Sequence, residues 1–361
     1  MKLNTQKIAT FFRKQGSPLL GIDVSSTAVK LIELRRLDAQ RMRVESYAIE
    51  PLPLNAVVEK NITNLEAVVA TIRAAVKRSK TKLKEAAVAV SSSSAISKTL
   101  TLPAHLSEDD MEAQVNLQAG QNIPYPLEEV NLDFQVIGTS THNAEEVDVL
   151  LVASRSENVD IRVDALDAAG LKTKVVDVES YAMEKAFRFI APDLLDGEHQ
   201  AVAAVDVGAT MTTLTVFEDE RIVYTRDQVF GGRQLTEEIM RRYGMSYEQA
   251  DSAKRRGGLP DSYEVEILEP FKQAMAQQVA RSLQFFFGAS QHNSVDHILL
   301  AGGCAAIAGA AELIEEHTGA HTIVANPFSR MTVASGVHPQ SLAEDAPSLM
   351  IACGLALRSC D

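Results

Sequence analysis

Leu19-Leu20-Gly21-Ile22-Asp23-Val24-Ser25-Ser26-Thr27 and Val202-Ala203-Ala204-Val205-Asp206-Val207-Gly208-Ala209-Thr210 are two copies of one pattern, set far apart in the chain. Each copy is an apolar strand that runs into Asp and then into a loop of small and hydroxyl residues. Val29, Leu31, Ile32 and Leu34 follow the first loop, and Leu214, Val216 and Phe217 follow the second. Both loops therefore read as turns of β-hairpins. A strand, turn and strand repeated at domain spacing predicts two related halves, and two such turns facing each other can grip a phosphate chain.

Outward from the first copy, Arg41 to Ile49 alternates like the third strand of an antiparallel meander, closed by Pro51 and Pro53. Leu65 to Lys80 reads as an amphipathic helix, and Ala86-Ala87-Val88-Ala89-Val90 as a strand buried on both faces. This β-β-β-α-β order is half of a duplicated α/β fold. Residues from about 100 to 155 interrupt it with a helix capped at Ser107, a break at Ile123-Pro124-Tyr125-Pro126, and strands at Val130 to Ile137 and Val147 to Val152. That stretch is expected to be an inserted α+β subdomain whose surface suits a partner better than chemistry. Helices from Ser156 and from Glu179 to Ile190 flank a strand at Lys174 to Val178. In the second half a long helix is expected near Val265 to Phe287, a buried strand at His297 to Ala301, and a last helix at Ser348 to Arg358 that returns to the first half. The division expected is an arm at 1–16, a first domain at 17–198, a second at 199–335, and a returning segment at 336–361.

Composition narrows the function. A net charge of -13 with no basic stripe argues against nucleic acid as a partner. Three cysteines without CxxC spacing fit a reduced compartment, and His292 and His297 form no metal-binding pattern. No apolar run reaches the roughly 18 to 20 residues that span a bilayer, so a soluble protein is expected. The first residues, basic and weakly amphipathic, read as a frayed tail in preference to a membrane-side docking arm.

A nucleoside triphosphate held between two domains needs hydrogen-bond donors on both sides and acidic groups to position Mg²⁺, usually through water. Ser25, Ser26 and Thr27 supply hydroxyls, while Gly208, Ala209 and Thr210 allow close backbone approach. Asp23 and Asp206 would flank the metal. Either loop alone is explained by a hairpin turn; both together, in duplicated halves, favour the phosphate reading. Gly302-Gly303 could face an adenosine, although helix packing also selects glycine. Gly231 and Gly232 add weight, and Asp251 and Lys254, three apart on a helix, could lean toward a ribose or simply pair with each other.

These segments resemble, in order, the superfamily of actin, the heat-shock chaperone ATPases and the sugar kinases. The resemblance covers Gly21 to Thr27, Val178-Glu179-Ser180-Tyr181-Ala182, Val205 to Thr212, the helix of Asp251 and Lys254, and Ala301 to Gly303. It implies a duplicated actin-like (ribonuclease H-like) fold around a nucleotide cleft, with an inserted subdomain like that of the cell-division protein FtsA. The run from Gly21 to Leu31, together with Asn122-Ile123-Pro124-Tyr125-Pro126, Asn326-Pro327-Phe328 and Gly354-Leu355-Ala356-Leu357-Arg358, is similar to the PilM family of type IV pilus assembly. What this implies is a cytoplasmic platform that binds ATP or ADP with Mg²⁺, with Lys30 and Thr212 at the site beside the residues above. Such a platform docks the N-terminal cytoplasmic peptide of PilN in a groove between the first subdomain and the inserted one. It would thus join the inner-membrane PilN–PilO–PilP complex to the pilus motor ATPases and platform protein.

Within that resemblance Glu179 is the candidate for orienting a hydrolytic water; its plain alternative is a favourable charge at a helix N-terminus. Ser25 and Ala209 stand where many hydrolases of the superfamily have Gly, so hydrolysis is expected to be slow or negligible. A cell-division relative or a small-molecule kinase of the same superfamily are the rival readings. No kinase pocket constellation stands out, and with Asp361 directly after the last helix, self-anchoring through a C-terminal amphipathic helix is not expected.

Overall fold

The computed structural model describes residues 17–38, 41–140, 143–195 and 200–360. The arm expected at 1–16 lies outside the described residues. β1 (Leu20–Val24), β2 (Ala28–Arg36) and β3 (Met42–Pro51) form the antiparallel meander. A minimal hairpin follows, β4 (Val57–Val58) and β5 (Asn61–Ile62), then helix α1 (Leu65–Ser79), whose N-terminus is capped by the Asn64 side chain. β6 (Glu85–Val90), buried along almost its whole length, lies parallel to β1.

β7 (Ala95–Pro103), α2 (Glu108–Asn122), β8 (Val130–Thr139) and β9 (Glu146–Arg155) build a separate sheet in the order β7-β9-β8 under α2. This sheet starts at Ala95, slightly before the stretch read from the sequence. The strand β7 was missed because Ser97, Lys98 and Thr99 obscure its apolar alternation. The chain then returns through α3 (Ser156–Ala168) to β10 (Lys172–Val178), parallel to β6, and into α4 (Glu179–Leu194).

The second half repeats the plan. β11 (Ala201–Val207), β12 (Thr212–Glu218) and β13 (Arg221–Gln228) are an antiparallel meander. Helices α5 (Gly232–Tyr243), α6 (Tyr247–Arg256) and α7 (Glu269–Ala289) lead to β14 (His297–Ala301), which lies parallel to β11. A π-helical turn at Glu264–Leu268 precedes α7, so Pro270 falls in the first turn, where its missing N–H costs least. α8 (Ala310–Thr318) and β15 (His321–Val324) complete the sheet. Read from the meander outward, one sheet runs β3-β2-β1-β6-β10 and the other β13-β12-β11-β14-β15, the same order and directions twice.

β16 (Met331–Val333) pairs with β3 at the edge of the first sheet, so the chain rejoins the first half a few residues before position 336. α9 (Pro339–Asp345) and a 3₁₀ turn at Ala346–Leu349 precede α10 (Met350–Leu357). α10 packs on β1 so closely that a Cβ on Gly21 would overlap the Ala352 carbonyl, and one on Gly354 would overlap Ala182 of α4. α4 in turn meets the second sheet, with Phe187 stacked on Phe217 at 4.4 Å between ring centroids. α4 and α10 therefore form the layer between the two sheets, which fixes how the ends of β1 and β11 face each other.

Candidate functional site

β1 and β11 both end in the Asp read from the sequence, and the turns that follow close in the same way. Ser25 N–H donates to the Ala28 carbonyl at 3.0 Å, and Gly208 N–H donates to the Met211 carbonyl at 3.0 Å. The Ser25 hydroxyl closes its own turn by donating to Ala28. The tips meet across the cleft, with Ser26 Oγ and Thr210 Oγ1 2.9 Å apart in a hydrogen bond. Beside them is a cavity of about 50 Å³ lined by Ser26, Thr27, Thr210, Arg233, Tyr247 and Asp251, among others. Ligand sites are typically several hundred cubic ångströms, so a nucleotide reaches the loops only if the halves part and the Ser26–Thr210 bond breaks.

Below the tips lies a buried ionic cluster. Asp23, only 4 % exposed, faces Lys30 across the β1–β2 ladder and accepts from its Nζ at 3.0 Å. Glu179, the first residue of α4, accepts from Lys60 Nζ at 2.5 Å. The same ammonium reaches Thr213 Oγ1 of the other half at 3.4 Å, and that hydroxyl donates to Asp227 Oδ1 at 2.6 Å. Asp206 lies opposite Thr213 in the β11–β12 register. Burial works against the Lys30 and Lys60 ammoniums, but the surrounding carboxylates outweigh it and hold both above the usual lysine value. Burial pushes the Glu179 carboxyl up, with Lys60 pulling it back and Asp23 adding to the rise. Asp206 is likewise raised by burial against the pull of Lys30 and Lys60.

Lys60, Thr213, Asp227 and Arg162 were not singled out from the sequence. Arg162 of α3 is buried and donates to three carbonyls: Ala89 of β6 at 2.7 Å, Asn158 at 2.8 Å and Lys60 at 3.0 Å. Burial lowers its pKa, against the favourable fields of Glu179 and Asp23. The only sequence signal for Lys60 was the set of β-branched residues Val57, Val58 and Ile62 on either side of a two-residue turn. That turn lacks the Asn or Gly that would have marked it.

Several expected ligand residues turn out to be occupied with the scaffold. The Thr212 hydroxyl, expected at the phosphates, is buried and donates to the Phe230 carbonyl at 2.9 Å. Gly232 and Arg233 give their N–H groups to the carbonyls of Gly208 and Ala209, at 3.0 and 2.7 Å. A Cβ on Gly231 would press into that same loop, so Gly231 and Gly232 let the start of α5 brace the second loop. Gly302, at φ 87°, lies directly on Asp206 and Val207 with no room for a side chain, whereas Gly303 presents open backbone. Asp251 and Lys254 do pair, at 3.2 Å, but Lys254 also donates to Thr236 Oγ1 at 2.7 Å and Arg255 shares Asp251 at 2.8 Å.

The residues that remain suit a polyphosphate with a divalent cation. Ser26, Thr27 and Thr210 stand at the tips, Lys30 and Lys60 supply positive charge, and Asp227 Oδ2 is buried with no hydrogen-bond partner among the described residues. Asp23, Glu179, Asp206 and Asp227 outnumber the two lysines, which leaves the floor short of positive charge. Among the described residues no group of three or more His, Cys, Asp or Glu could hold a metal directly. A Mg²⁺ would take its ligands mainly from phosphate and water.

A second cavity, of about 320 Å³, opens between the first half and the inserted sheet. Asn61 and Asn158 line one wall, and Ile96, Ile123, Tyr125 and Ala153 the other. Ile123 and Tyr125 belong to the Pro-containing break that ends α2, and the Arg155 guanidinium lies over the Tyr125 ring, 5.4 Å from its centroid. Apolar side chains thus stand beside a polar edge formed by Ser93, Ser94, Arg155 and Glu157.

Residues 21–360 match the family described as type IV pilus assembly protein PilM. The chain is similar to the solved PilM–PilN type IV pilus biogenesis complex, with 26% identity and a TM-score of 0.79 over 96% of this chain and 99% of that one. It is also similar to the ethanolamine utilization protein EutJ from Carboxydothermus hydrogenoformans, at 16% identity and a TM-score of 0.55 over 94% and 90% of the two chains. A third structure, the activator of 2-hydroxyisocaproyl-CoA dehydratase from Clostridium difficile with bound ADPNP, aligns at 11% identity and a TM-score of 0.44 over 95% and 94%. The expected duplicated actin-like α/β fold is borne out.

Proposed function

The chain belongs to the PilM family of type IV pilus assembly proteins, and from that footing we propose that it is a nucleotide-binding platform that docks PilN. The observation that carries this is the end-to-end likeness to a chain of the PilM–PilN complex. The groove of Asn61, Ile123, Tyr125 and Asn158 supports it, because it opens between the first half and the inserted sheet and sets apolar side chains beside polar ones, as an extended peptide needs. No described helix is long and apolar enough to cross a membrane. In this reading the protein works at the cytoplasmic face of the inner membrane through PilN. Contacts with PilO, PilP, the motor ATPases and the platform protein would follow from that attachment.

The cleft is read as a site for ATP or ADP with Mg²⁺, the nucleotide supplying a charged, hydrolysable phosphate chain. Ser26, Thr27 and Thr210 would donate to the phosphates, Asp23 and Asp206 would hold the metal's waters, and Gly303 would leave room beside the adenosine. Glu179 Oε2 is engaged by Lys60 while the cleft is closed, so it could orient water only after that ammonium is drawn away, and slow turnover is read from Ser25 and Ala209 in the two loops.

The test is fluorescence polarisation with a labelled synthetic peptide of the cytoplasmic N-terminus of the PilN-like protein encoded in the same genome. Saturable binding that Tyr125→Ala weakens by roughly tenfold is expected, the cost of removing one exposed aromatic that a docked peptide would cover. Absence of binding with and without nucleotide would overturn the docking reading.

A further inference from the structure

The β4–β5 hairpin turns through Glu59 at φ 48° and Lys60 at φ 65°. Two-residue hairpins of this kind favour Asn and Gly, and long side chains are held there only against local strain. What holds Lys60 is visible on both sides. Its carbonyl is fixed by Arg162, and its ammonium spans the cleft, from Glu179 on one half to Thr213 on the other. Lys30, the other part-buried lysine of the cluster, is instead bonded to Asp23 of its own hairpin.

We propose that Lys60 is the specificity-determining residue of the cleft, the cation that reads the terminal phosphate and makes the protein favour nucleoside triphosphate over diphosphate. The inference rests on the nucleotide reading above. Thr213 lies on the strand that leaves the second loop, just beyond Thr210, so an anion drawn inward past the tips meets this ammonium. The flexible four-carbon stem lets Nζ exchange one oxygen partner for another while the pinned backbone stays in place. A phosphate that takes the ammonium also releases Glu179 Oε2. Lys60 is therefore a positioning group for the carboxylate as well as a reader of charge.

Isothermal titration with Mg²⁺ and either a non-hydrolysable ATP analogue or ADP tests this on the wild type, Lys60→Met, Lys60→Arg, and the double variant Lys60→Met with Glu179→Gln. The wild type should bind the triphosphate roughly tenfold more tightly than the diphosphate, the scale of one charge-assisted contact. Lys60→Met should bring the ratio near one with ADP affinity little changed, and Lys60→Arg should restore most of the preference. The double variant removes both charges of the ion pair and so decides the matter if Lys60→Met alone does not fold. A preference that survives loss of Lys60, or a wild type without preference, overturns the proposal while the nucleotide reading stands. If neither nucleotide binds the wild type, both fall.

Discussion

Cys304 marks how tightly single residues are packed around the second loop. Its thiol points at the Gly208 carbonyl, 3.6 Å away, and a Cβ on Gly232 would come within 2.9 Å of the sulfur. Burial pushes this thiol up to about 11. Because the folded value is raised, the stability it lends is complete below the unfolded thiol value and is lost as pH rises through about 11. At pH 8, alkylation followed by intact-mass measurement should therefore add one group, at the partly exposed Cys360, and leave Cys304 and Cys353 unmodified until denaturant is added. Asp23 and Asp206 were legible in the sequence because a strand, an acid and a small-residue turn recur together. Lys60 was not, since nothing local shows that a surface-looking lysine folds inward onto a carboxylate more than a hundred positions later. Thr212 shows the opposite failure: a hydroxyl in a promising loop was absorbed by a carbonyl of the scaffold.

The β4–β5 hairpin turns on two non-glycine residues in the left-handed region, as does the β12–β13 turn at Asp219 and Glu220. Glu59 is exposed and at φ 48°, with its side chain outside the Lys60–Glu179 pair. Glu59→Asn should raise stability by about 0.5 kcal/mol, because Asn enters the left-handed region more easily. Urea unfolding should show this as a higher midpoint at unchanged slope. Elements with a clean period, such as β6 and α1, could be read directly from the sequence. β13 could not: Arg221, Arg226 and Asp227 break its apolar run, and it is a strand because β12 offers an edge to pair with. β16 is only three residues long and is defined by β3 beside it.

For the whole molecule the duplication was the most legible feature, since a repeated hairpin implies a repeated sheet order. Closure of the tips through Ser26 and Thr210 was not, because it depends on how two halves meet through α4 and α10. The three hydrogen bonds of Arg162 have a consequence for motion. They tie a strand of the first sheet, a helix bordering the second cavity and the hairpin that carries Lys60, so these three segments should open as a single foldon. In native-state hydrogen exchange, the amides of Lys60, Asn61 and Ile62 should share one opening free energy and one denaturant slope with those of Ile161 and Arg162, although a hairpin this short would ordinarily fray. Arg162→Lys should split that shared isotherm in two and let the hairpin exchange on its own.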